Sequence, residues 1–184
     1  MSKQDFENLL NKHESKSEEK EINWEEQKIE WLDFIKQFYS SVESWLDPYK
    51  KDGKLSYEYK ITQITEEYIG TYDVNVMVVH FAEQKLTLEP LGTLLIGTKG
   101  RIDMEGARGR VQFILADKDS KGMKISVTIS TISTDGVYPK ENKDSESKKP
   151  NWTWKIALRE SHKISYEEFN EENFFDALME IVNG

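Results

Sequence analysis

Apolar residues recur along this chain first at helical spacing, then at every second position, and at the end at helical spacing again. Between Trp24 and Tyr49 they stand four, three, four, three and four positions apart, at Trp31, Ile35, Phe38, Val42, Trp45 and Tyr49. Leu32, Tyr39 and Leu46 widen the stripe on the same side, so the spacing predicts an amphipathic helix over about 24–46. Pro48 lacks an N–H and is expected to stop it. Upstream, Phe6, Leu9 and Leu10 mark a short helix, and the wholly polar HESKSEEKE reads as a linker.

From Leu55 the period is two. Leu55, Tyr57, Tyr59 and Ile61 alternate with polar residues and predict a half-buried strand. The run YDVNVMVVHF is nearly continuous and β-branched, which suits the middle of a sheet. KLTLEP ends at Pro90, and TLLIG, RIDME, RVQFILAD, MKISVTIST and WTWKIAL follow between short turns. The gaps before MKISVTIST are too short for crossover helices, so the strands are expected to be antiparallel. In SYEEFNEENFFDALMEIV, Ser165 and Glu168 have capping-box spacing, and Phe174, Phe175, Leu178, Ile181 and Val182 supply a buried face.

The expected fold is therefore α+β, with N-terminal helices, an antiparallel meander or roll of about seven or eight strands, and a C-terminal helix packed on the sheet. A sandwich of seven strands is the alternative. Residues 1–21 read as a short helix and polar linker, and 22–184 as a single domain. Within it, the polar, proline-bearing stretch 133–151 reads as a mobile loop.

Charge narrows the functions open to such a fold. The chain of 184 residues carries a net charge of −9, which repels nucleic acid and anionic membranes at long range and favours a basic partner. It contains no cysteine, which excludes disulfides, thiol catalysis and thiolate metal sites. The opening MSKQDFENLL lacks an apolar signal core, and no run approaches the length of a membrane span, so a cytoplasmic protein is expected.

The stretch GTLLIGTKGRIDMEGARGR concentrates the candidate chemistry. GTLLIGTK comes near a phosphate-binding loop, but no hydroxyl follows Lys99, and Thr-Leu-Leu-Ile seeks burial rather than an exposed backbone. Arg101, Arg108 and Arg110 fall within ten residues, while Arg159 is the only other arginine. A guanidinium grips a carboxylate or phosphate at two points. Lys99, Arg101, Asp103, Glu105, Arg108 and Arg110 are thus the candidate residues for binding a ligand or partner. The competing reading pairs the arginines with Asp103, Glu105 or Glu89 across strands.

Elsewhere the chemistry is thin. His13, His80 and His162 lie far apart in sequence, and His80 reads as a partly buried strand residue. Trp152 with Trp154, and Tyr57 with Tyr59, share strand faces and read as core. No catalytic constellation, metal or cofactor is expected. The function expected is a non-enzymatic acidic cytoplasmic module that binds another protein, one version being an inhibitor or immunity protein masking a basic toxin or nuclease. The alternative is a binder or enzyme for a small anionic ligand held by turns 97–110.

Overall fold

The computed structural model describes residues 22–93, 98–124, 150–160 and 162–183. The helix expected near Phe6, the body of TLLIG, most of MKISVTIST and nearly all of the 133–151 loop lie outside these residues.

Helix α1 (Trp24–Lys51) starts where the side chain of Asn23 accepts the Glu26 N–H at 3.1 Å. Glu25 and Glu26 in its first turn and Lys50 and Lys51 in its last oppose the helix dipole. Pro48 does not stop it. The proline sits in the final turn, where its missing N–H deletes one bond, and its own carbonyl still accepts the Asp52 N–H at 3.2 Å.

The buried stripe is Trp31, Ile35, Phe38, Tyr39, Val42 and Leu46. Trp45 is only partly buried, at the margin of that stripe against Phe169 and Phe174. Tyr49 is exposed, because the last turn of α1 leaves it only the edge of Phe175 to lean on.

Among the described residues eight strands form one sheet, in the order β1-β2-β3-β4-β5-β7-β8-β6, rather than the two of a sandwich. They are β1 (Leu55–Glu66), β2 (Gly70–Phe81), β3 (Gln84–Gly92), β4 (Gly100–Gly106), β5 (Gly109–Asp117), β6 (Gly122–Lys124), β7 (Trp152–Glu160) and β8 (Lys163–Glu168). Every neighbouring pair is antiparallel. Helix α2 (Glu171–Ile181) follows.

Strand β8 corrects the expected capping box. Ser165 pairs with Leu158 of β7, and the true cap is Asn170, whose side chain accepts the Asn173 N–H at 2.9 Å. Ile164 and Tyr166 alternate with polar neighbours and pack beside Ala157, so period two wins over the cap signal.

The β1–β2 hairpin outruns the rest of the sheet, since β3 pairs with β2 only from Met77 onward. Burial in β2 changes phase there, from Tyr72 and Val74 to Met77 and Val79. At the switch the Asn75 carbonyl accepts the Tyr39 hydroxyl at 2.7 Å. In consequence Ile61 is 73% exposed rather than half-buried, and Tyr59 is exposed as well.

Both helices share one core with the sheet, through Met77, Leu88, Ile102, Met104, Phe113, Trp154 and Ile156. Phe38 lies among Phe113, Trp154 and Phe169, with ring centroids 5.1, 5.1 and 4.8 Å away. The indole N–H of Trp154 donates to the Phe34 carbonyl at 3.1 Å, which ties the tryptophan strand to α1. Each such fully buried side chain contributes about 1.5–3 kcal/mol.

Candidate functional site

Strand β4 sorts the candidate residues by parity. Ile102 and Met104 face the helices, so Arg101, Asp103 and Glu105 share the opposite face of the sheet. The register sets Glu89 of β3 and Gln112 of β5 on either side of Asp103, and Arg110 beside Glu105.

Asp103 is only 4% exposed, the one buried charged residue among those described. Arg101 Nε stands 2.9 Å from its Oδ1, outside hydrogen-bonding direction, and Arg101 Nη2 donates to Oδ2 at 3.4 Å. Arg110 reaches Asp103 at 3.3 Å and Glu105 at 2.8 Å. Burial pushes the Asp103 carboxyl above its ordinary 3.8, and the two guanidiniums pull it back only in part.

The other two cations lie elsewhere. Lys99 turns toward α1, where its ammonium meets Glu30 at 2.5 Å and Gln27 at 3.1 Å with little exposure. Arg108 occupies the β4–β5 turn, and its backbone N–H donates to the Ile181 carbonyl at the end of α2, at 2.9 Å. Its side chain is exposed, with no carboxylate within ion-pair reach among the described residues.

The glycines answer to packing. A Cβ at Gly100 would stand 2.2 Å from the Trp31 ring, and one at Gly106 would stand 2.5 Å from the Ile181 carbonyl. The stretch 98–110 thus holds one closed ion cluster, one lysine tied to α1 and one arginine without an acid partner among the described residues.

His80 is exposed, not partly buried, because it falls on the outer face between Ser56 and Lys85 and stands 3.8 Å from Glu58. His162 is also exposed, and His13 lies outside the described residues. Among the described residues no group of three or more His, Asp or Glu is placed to hold a metal. No helix among them is long and apolar enough to cross a membrane.

A second feature emerges only in three dimensions. At the N-terminal end of α1, Ile22 is 56% exposed and Ile29 54%, while Tyr68, between β1 and β2, is 58% exposed and stacked on Trp24 at 4.9 Å. Glu25, Glu26, Asp33 and Glu67 are exposed as well. Over residues 22–33 and 66–69 the single cation is Lys28, which pairs with Glu25 at 2.8 Å, and Lys99 reaches in from outside them to Glu30. Ile29 could have been found from sequence, as an apolar residue that falls off the α1 stripe. Tyr68 could not, because its position depends on how the hairpin bends.

Compared with protein-family models, with curated proteins and with solved structures, the chain matches none.

Proposed function

We propose that this chain is a non-enzymatic, acidic protein-binding module that holds a basic, partly apolar segment of another protein at the N-terminal end of α1. The observation that supports this reading most is the exposure of apolar Ile22, Ile29 and Tyr68 near the N-terminal end of α1, together with that of Glu25, Glu26, Asp33 and Glu67. Apolar anchors together with charged groups suit a protein partner better than a small molecule. The net charge of −9 supports the same reading, since it steers basic partners inward. An inhibitor or immunity protein masking a basic toxin or nuclease is one form of it.

The test is capture of a partner from the native lysate by wild type and by an Ile29→Lys, Glu67→Lys double variant. Both positions are exposed, so folding should change by no more than about 0.5 kcal/mol per site. The variant should capture at least about tenfold less of the same partner, about 1.4 kcal/mol of affinity. Undiminished capture would defeat the reading.

Arg108 keeps a second reading in view, because its guanidinium has no acid partner among the described residues. If the bound group is anionic and held by the turns, Arg108→Ala with Arg110→Ala abolishes binding and the α1 variant does not.

A further inference from the structure

The sheet has two edges. One is β6 (Gly122–Lys124), the outermost strand on that side among the described residues. The other is β1, twelve residues long, paired with β2 in unbroken register and carrying no proline or bulge. Its single lysine is Lys60. Such an edge offers its outer N–H and C=O groups to another strand.

We infer that β1 takes a second copy of this chain, antiparallel about a two-fold axis at Tyr59, so that the two sheets join into one. The inference goes beyond the proposed function and uses a different element.

The charged side chains of β1 favour that register, the one that sets Glu58 against Lys60. Opposed residues in an antiparallel pair lie on the same face, and two-fold pairing that keeps both sets of helices on one side allows only registers centred on a residue. Centred on Glu58, the pairing opposes glutamate to glutamate. Centred on Lys60, it opposes lysine to lysine. Centred on Tyr59, it sets Glu58 against Lys60 of the other copy twice over, Tyr57 against Ile61 twice, Ser56 against Thr62 twice, and Tyr59 against its own counterpart. Like charges directly opposite destabilise a pair, and opposite charges or aromatic with β-branched side chains support it.

The same arrangement covers what β1 leaves open. Ile61 is 73% exposed and Tyr59 38%. Glu58 and Lys60 are exposed too, and their contact within one copy is 3.5 Å.

Sedimentation of the full chain over a concentration series up to about 0.1 mM, which reveals a Kd of micromolar order, tests this. Wild type should dimerise. Glu58→Lys puts two lysine pairs across the seam and Lys60→Glu puts two glutamate pairs there, so each should weaken dimerisation at least about tenfold. An equal mixture of the two variants should recover it, because every opposed pair is again lysine with glutamate. Both sites are exposed, and a thermal melt of each variant confirms folding. A monomeric wild type, single variants that dimerise as well as wild type, or a mixture that stays monomeric would each overturn the inference. Partner capture at the N-terminal end of α1 should persist in Glu58→Lys, which separates this result from a failure of the proposed function.

Discussion

A methyl group at Gly100 would enter the ring of Trp31 of α1, itself fully buried. Neither the backbone of β4 nor that tryptophan can yield without repacking the core. Gly100→Ala should therefore cost about 1–3 kcal/mol in urea denaturation, as overpacked cores do. The opposite sign is expected at the β2–β3 turn. Ala82 and Glu83 hold φ of 46° and 60° between the paired residues Phe81 and Gln84. Both central positions of this tight hairpin favour Asn and Gly, so Ala82→Asn with Glu83→Gly should raise stability by about 1 kcal/mol in the same assay.

Asp103 adds a pH test at the same scale. Its folded pKa lies above its ordinary 3.8, so the folded state holds the proton more tightly than the unfolded chain. The stability this group contributes is fully present below 3.8 and is lost as pH rises through the raised value. Asp103→Asn cannot titrate. Wild type should gain stability relative to this variant between about pH 7 and about pH 3.5, measured by denaturation at both. A gain in the other direction would mean that the arginines outweigh burial.

Elements were legible where one physical signal dominated. Strict alternation in RIDME marked β4, the apolar run in RVQFILAD marked β5, and the parity of Arg101, Asp103 and Glu105 followed from the first. Pairing of the arginines with Asp103 or Glu105 was legible as one of two readings, but which arginine closes on Asp103 was not, since that needs the register of β5. KISYEE carries two signals at once, and tertiary pairing with β7 decided between them. The bend of the β1–β2 hairpin left no local trace, because it depends on where β3 stops pairing. For α1 the stripe told which side is buried but not how deeply each position lies. Phe38→Ala should cost about 3–5 kcal/mol, since the ring is fully enclosed. Trp45→Ala should cost clearly less and Tyr49→Ala nearly nothing, a ranking that thermal melts can check.

For the molecule as a whole, the proposed partner binding at the N-terminal end of α1 and the proposed dimerisation at the edge of β1 should respond to salt in opposite ways. A basic partner approaches a chain of charge −9 down a favourable field, and salt screens that field over about 10 Å at 0.1 M. Two copies of the same chain instead approach against mutual repulsion, which the same salt relieves. The Glu58–Lys60 pairs of the seam also weaken with salt, but exposed pairs are each worth only about 0–1 kcal/mol. Long-range repulsion between whole molecules therefore governs the trend. Raising salt from about 20 mM to about 150 mM should slow partner association in stopped-flow mixing and tighten dimerisation in sedimentation. If both weaken together, local charge pairs at the seam outweigh net charge, and the strand register would have to be held mainly by those pairs rather than by the backbone ladder and the aromatic contacts of Tyr57 and Tyr59.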